Sequence, residues 1–310
     1  QSTMDDNEFE KPLRHEKKPV FPHIYKDQVG KNYYTLRESP YGNTFTIDFA
    51  RQLLLSEQLG KSGQADMLCI SLSSTDYIGH KTGPNSLEIQ DTYLRLDKDI
   101  ESFLNFLDKH VGVGQYLFFL SADHGAPQVP AFMKANKLPA GSMKKSILKA
   151  ELNTFCYEKF GAKNLVKAIH EYQVYFNYRL IDSLKPDMSV IKKSLVDLLM
   201  QKPEVIAAFD YDSFEKVLLP QKVKDLFANG YNFKRSGHIQ YILKSQYNDN
   251  VLTGTEHGVM YAYDTHIPLI WYGWKIKSGK TNRKVYMTYV APTISALLKI
   301  QMPGGSVGEV

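Results

Sequence analysis

The sequence predicts an α/β protein built on a mostly parallel sheet, with a smaller α+β subdomain inserted into it. Two observations make that prediction: a pair of apolar runs flanking one long amphipathic stretch, and a change of texture after Pro130. Asn43–Gly60 carries Phe45, Phe49, Leu53, Leu54 and Leu55 near helical spacing, and Gly60 suits a stop. Asp66–Leu72 (DMLCISL) is a short apolar run between polar segments, the profile of a strand buried on both faces. Asn85 with Glu88 reads as a capping pair. From there a helix runs to about His110, with Tyr93, Leu96, Ile100, Phe103, Leu104 and Leu107 on one stripe. Gln115–Ala122 (QYLFFLSA) is a second buried-strand candidate. Strand, helix, strand in this order forms a βαβ unit, which implies parallel strands joined by a right-handed crossover.

After Pro130, helix-like stretches (Lys144–Phe160, Ser189–Gln201, Pro220–Asn229) alternate with strand-like ones (Gln173–Ile181, Val205–Tyr211) up to about Arg235. The main sheet is expected to resume with His238–Leu243 and Ile267–Tyr272, followed by a helix over Ala291–Leu298. The division is therefore a core of residues 1–129 and 236–310, with residues 130–235 inserted.

Composition bounds the function without naming it. The 310 residues are 43% hydrophobic and 23% charged, which excludes a disordered chain. No apolar run approaches the roughly eighteen residues of a membrane-crossing helix, so no membrane span is expected. A formal net charge of +5, spread along the chain, is too mild to imply a nucleic-acid partner. Two cysteines exclude a disulfide scaffold or a Cys-rich zinc module; Cys69, mid-strand, and Cys156, mid-helix, read as buried free thiols. The polar N-terminus (QSTMDDNEFEKPLRHEKKPVFPH) has no basic-then-apolar signal region.

Chemistry concentrates at the ends of the two apolar runs. After DMLCISL, Asp76 and His80 stand four residues apart; after QYLFFLSA come Asp123, His124 and Gly125. Ligands of open α/β sheets collect outside the carboxyl ends of the strands, so neighbouring strands would deliver both pairs to one rim. GTEHG adds His257 between glycines that permit a sharp turn. Mixed carboxylate and imidazole donors without thiolate suit Zn²⁺ and tolerate Mn²⁺ or Fe. Five such side chains exceed what one catalytic zinc needs and fall one short of two such sites. Each piece has a bland counterpart: an Asp-x-x-x-His pair arises by chance, Asp-His-Gly forms ordinary turns, and a lone histidine is usually structural. Their joint placement favours a metal site and leaves the structural reading open.

Taken together, SSTDYIGHKTGPNSLEIQDTYLRLDKDI, FFLSADHGA, GTEHGVMYAYDTHIPLIWYG and APTISALL resemble the alkaline phosphatase superfamily. Within it they look most like the phosphate-irrepressible alkaline phosphatases of the type I phosphodiesterase/nucleotide pyrophosphatase group. The resemblance implies a three-layer α/β sandwich and two zinc ions, with Mn²⁺ or another divalent metal possible. Asp76, His80 and His257 would hold one ion, and Asp123 and His124 the other. It also implies hydrolysis of small phosphate monoesters through a phospho-Thr or phospho-Ser intermediate, in a periplasmic or secreted protein. The family's sixth ligand, its nucleophile and its phosphate-gripping Asn, Lys and Arg are expected upstream of Asp66, where no matching segment is found. The chain is thus expected to be a C-terminal portion, inactive alone, with no catalytic nucleophile of its own. Diesterase, phosphomutase and sulfatase activities remain alternatives, as does a non-catalytic metal-binding module. His266 reads as structural, and His15, His23, His110, His170 and His238 receive no role.

Overall fold

A computed structural model describes residues 5, 8–249 and 252–310 of the chain. Its strands are β1 (Leu117–Ser121), β2 (Gly141–Ser142), β3 (Val166–His170), β4 (Gln173–Phe176), β5 (Val205–Asp210), β6 (Ile239–Leu243), β7 (Tyr247–Asn248) and β8 (Leu269–Gly273). They pair as β1 with β8, as β2 with β7 in parallel, and as a four-stranded sheet in the order β3-β4-β6-β5 with every pairing antiparallel. The fold is therefore α/β with mixed pairing.

The chain divides into two compact units. One comprises Gln1–Thr44, Leu72–Asp97 and Ser121–Pro268, the other Phe45–Ser71, Lys98–Leu120 and Leu269–Val310. The first holds the largest core, formed by the four-stranded sheet and two helices. Lys145–Phe160 buries Leu148, Leu152 and Cys156, and Met188–Met200 buries Ile191, Leu195 and Leu199. Each set is spaced by four residues, so it lines one helical face. Strand β4 alternates, with Val174 and Phe176 buried. Strands β3 and β4 are joined by Glu171 and Tyr172, both left-handed at φ 48° and 59°, the geometry of a tight primed hairpin turn. At the edge of this core the buried Lys192 ammonium pairs with Asp210 at 3.0 Å and with Asp212.

In the second unit Ile47, Ala50, Leu54, Phe103 and Leu107 are buried. Phe119 of β1 meets Trp271 of β8 with ring centroids 5.1 Å apart. The helices Tyr41–Ser56, Leu87–Leu107 and Val290–Leu298 lie within a few residues of the spans expected from periodicity.

Several expectations are corrected. Asp66–Leu72 forms no strand, and Cys69 within it is exposed rather than buried. An apolar run becomes a strand only where a neighbouring backbone pairs with it, and this one belongs to no sheet among the described residues. The His238–Leu243 run does not resume a parallel sheet. As β6 it lies inside the antiparallel sheet with all five residues buried, Gln240 among them donating to the Tyr172 and Tyr241 carbonyls at 3.1 Å, so its mostly apolar character reflects burial on both faces. Gln173–Ile181 is strand only to Phe176 and turns into the helix Tyr178–Leu184. The Asn85–Glu88 cap is also replaced. Ser86 Oγ accepts the Ile89 N–H at 3.2 Å, Asn85 donates to Gln128 at 2.6 Å, and Glu88 lies 3.3 Å from His23.

Candidate metal centre

Three segments of the first unit converge on one point. The helix Ser74–Thr82 presents Asp76 and His80 one turn apart, while Ile78, on the opposite face, is 1% exposed. Its N-terminus is held from outside: Asn43 Oδ1 accepts the Ser74 N–H at 3.2 Å and its amide donates to Thr75 at 3.0 Å. The first contact satisfies a backbone donor that a helix start leaves open, and the second holds the Asn43 amide against the first turn. Gly42 permits the approach, since a Cβ there would lie 2.2 Å from Ser74 Oγ.

The second segment carries Asp123 and His124 just beyond β1, and the third is the loop Gly254–Val259. Gly254, at φ +69°, packs so closely on the end of the helix that a Cβ would sit 2.3 Å from the His80 carbonyl. Thr255 follows as a hub. Its N–H donates to the His80 carbonyl at 3.3 Å, its hydroxyl donates to the Pro127 carbonyl at 2.9 Å, and its carbonyl accepts from His80 Nδ1 at 2.9 Å.

At the point of convergence, His80 Nε2 lies 3.4 Å from Asp76 Oδ2, and His257 Nε2 lies 3.4 Å from Asp76 Oδ1. The two Nε2 atoms are 3.2 Å apart. The donor atoms of Asp76, His80 and His257 all fall within 4.8 Å of one another, the only such grouping among the described residues. His124 stands beside them, its Nε2 4.0 Å from Asp76 Oδ1 and its ring stacked on His257 at 3.4 Å between centroids. Asp123 remains 88% exposed, 3.7 Å from His124 Nε2. The structure thus gathers Asp76, His80 and His257 tightly, sets His124 against them, and leaves Asp123 on the rim.

The donor set fits a divalent cation. With Nδ1 of His80 donating to the Thr255 carbonyl, its Nε2 lone pair faces the cluster, the arrangement by which an outer hydrogen bond orients a ligating histidine. Two ring nitrogens and one carboxylate, without thiolate, match zinc and its borderline neighbours. The local field has the matching sign. Burial works to raise the Asp76 pKa, but hydrogen bonds from His257 and His80 hold it well below the carboxylate range. The hydrogen bond to Asp76 lifts His80 to about 9 against its own burial, with help from the Thr255 carbonyl. The cluster therefore favours a positive charge at its centre, which a proton or a metal ion supplies.

Two contributors lie outside the predicted site residues: Thr255, inside GTEHG, and Asp264, two residues before His266. Asp264 is 3% exposed; its carboxylate accepts the N–H groups of Gly258 at 2.8 Å and Val259 at 2.9 Å. A signal for Asp264 existed in the sequence: a lone acid in an otherwise apolar, aromatic run soon after a glycine-flanked histidine.

Comparison with known proteins shows the family and the fold of the chain. Residues 7–248 match the model of the family described as type I phosphodiesterase/nucleotide pyrophosphatase. The chain is 43% identical over 310 residues to alkaline phosphatase PhoV of Synechococcus elongatus, covering 100% of this chain and 56% of PhoV. It is 42% identical over 312 residues to alkaline phosphatase PafA of Elizabethkingia meningoseptica, covering 100% of this chain and 57% of PafA. The crystal structure of wild-type alkaline phosphatase PafA superposes with a TM-score of 0.95 at 42% identity, covering 99% of this chain and 59% of that one. The chain thus spans little more than half the length of the curated relatives it matches. By family model, sequence identity and fold, the chain belongs to the type I phosphodiesterase/nucleotide pyrophosphatase family of the alkaline phosphatase superfamily.

Proposed function

We propose that this chain carries the metal-holding part of a phosphoric ester hydrolase of the alkaline phosphatase type, acting on small phosphate monoesters in the periplasm or outside the cell. The observation that carries the reading is the convergence of Asp76, His80 and His257 from two separate segments, with His124 at their side. Asp76, His80 and His257 would hold one divalent cation, zinc by donor chemistry, and Asp123 with His124 would contribute to a second. A bound divalent cation supplies Lewis acidity, lowering the pKa of an attacking hydroxyl or water and offsetting charge on the phosphoryl oxygens. The chain's own residues orient and neutralise: Asp76 balances the cationic charge, Thr255 fixes the His80 ring, and the stacked rings of His124 and His257 keep the two loops in register. Three protein donors leave a coordination position open, as catalytic sites do and closed structural sites do not.

We assign no nucleophile to any of the 310 residues. The phospho-Thr or phospho-Ser step belongs to the reading through the resemblance alone, and turnover of an aryl phosphate by this chain by itself is expected to be negligible. A diesterase reading is favoured by the description of the matching family model, whereas PhoV and PafA, at 43% and 42% identity, carry the name alkaline phosphatase. The test is metal analysis of the dialysed chain after zinc loading. Bound zinc that disappears in Asp76→Asn and His257→Ala supports the reading. No zinc above background between pH 6 and 9 refutes it, and turnover of p-nitrophenyl phosphate approaching that of PafA would overturn the assignment of no nucleophile.

A further inference from the structure

We propose that Asp264 is the positioning residue of the candidate centre, locking the loop that bears His257 to the loop that bears His124. The inference rests on the metal-centre reading above and goes beyond it by naming what holds the centre's two loops at a fixed spacing.

Asp264 uses both its side chain and its backbone. Its Oδ2 accepts the N–H groups of Gly258 and Val259, the two residues after His257. Its carbonyl accepts the N–H of Gly125, the residue after His124, at 2.7 Å. One buried residue therefore grips the backbone immediately beyond each imidazole of the stacked pair. The grip is close: a Cβ on Gly125 would lie 2.1 Å from the Tyr263 carbonyl, so the two backbones touch with no room for a side chain.

The element that carries Asp264 is itself anchored. The short helix Ala262–Thr265 follows Tyr261, whose hydroxyl donates to the Leu243 carbonyl at the end of β6 at 2.6 Å. The Tyr263 hydroxyl accepts the Gln246 N–H at 3.0 Å. The clamp is thus tied to an inner strand of the four-stranded sheet, and loops held by such a support keep their side chains in place. The second carboxylate oxygen, Oδ1, is buried and meets no hydrogen-bond donor among the described residues. A buried acceptor left in this state is costly.

Zinc titration of the full chain by calorimetry, with thermal melts of the metal-free proteins alongside, tests the proposal. Asp264→Ala is expected to weaken zinc affinity about 10–100-fold, the range for loss of a group that orients metal ligands. Asp264→Asn retains an oxygen for the two amides and is expected to recover most of the lost affinity. Amide exchange at Gly258 and Val259 is expected to quicken in the alanine variant and not in the asparagine one. Should the alanine variant not fold, Asp264→Ser takes its place, since one short hydroxyl cannot hold both amides, and the same loss is expected. A folded alanine or serine variant that binds zinc within about twofold of wild type overturns the role of Asp264 while leaving the metal centre standing. A wild-type chain that binds no zinc overturns both.

Discussion

Gly125→Ala is the sharpest perturbation the structure offers, because it adds a single methyl at a place where backbone meets backbone. The new Cβ would lie 2.1 Å from the Tyr263 carbonyl oxygen, 3.2 Å from its carbon and 3.6 Å from Asp264 Cα. Ordinary contact begins near 3.4 Å, so roughly 1.3 Å of overlap must be relieved. Neither side gives easily: the carbonyl belongs to the anchored helix Ala262–Thr265, and Gly125 adjoins His124. Overpacking of this kind typically costs about 1–3 kcal/mol. The larger effect falls on the centre, where displacement by about 1 Å can cost on the order of 100-fold in a precisely placed function. His124 Nε2, now 4.0 Å from Asp76 Oδ1, would be carried out of register with the Asp76, His80 and His257 group. Urea unfolding measures the first effect, and calorimetric zinc titration the second. A variant within about 0.5 kcal/mol of wild-type stability and within about twofold in zinc affinity would refute the reasoning, since the 1.3 Å would then have been absorbed without moving either loop.

Further predictions follow from the same structure. Zinc at a hundredfold excess over its dissociation constant should stabilise the chain by about 2.7 kcal/mol, seen as a raised Tm, and His257→Ala should abolish the shift; an equal shift in that variant would relocate the site. Leu152→Ala, at a side chain with 0% exposure in the core of the four-stranded sheet, should cost about 2–5 kcal/mol in urea unfolding; a loss below about 1 kcal/mol would mean that the neighbouring helices collapse into the gap. The third concerns His23, with Nδ1 2.8 Å from Glu16 and Nε2 3.3 Å from Glu88. Burial alone would lower its pKa, yet hydrogen bonds to Glu88 and Glu16 raise it above the ordinary 6.5. A raised folded-state pKa contributes stability that is fully present below pH 6.5 and is lost as pH rises through the folded value. Melts of wild type and His23→Gln across that window should therefore converge as pH rises; parallel curves would mean that the pair contributes nothing.

Local pattern made much of this protein readable. Asp76 and His80 lie four residues apart, and in a helix that spacing alone places them on one face whatever surrounds it. Gly125 and Gly258 flank histidines in Asp-His-Gly and Glu-His-Gly, and each proves to be a residue whose backbone is gripped by Asp264. Leu148, Leu152 and Cys156, like Ile191, Leu195 and Leu199, announce their buried faces by spacing.

Pairing was not readable in the same way. DMLCISL and HIQYIL are near-identical in texture, yet one forms no strand and the other is the buried centre of an antiparallel sheet. Apolarity reports that a segment wants burial, whereas a strand needs partners for its backbone, and those are supplied from far along the chain. The same holds for Asn85 and Glu88: capping geometry suited them, but Gln128 and His23 took their side chains and Ser86 became the cap.

The sequence by itself determined which residues can hold a cation and which faces of the helices must be buried, because both follow from side-chain chemistry and a period of a few residues. Only the tertiary structure decided that Asp76, His80 and His257 meet, that His124 stacks on His257 while Asp123 stays at the rim, and that Asp264 joins the two loops. Those outcomes depend on contacts between distant segments, such as His80 with His257, 177 residues apart. Such contacts form only when the whole chain has paid the entropy of closing the loops between them.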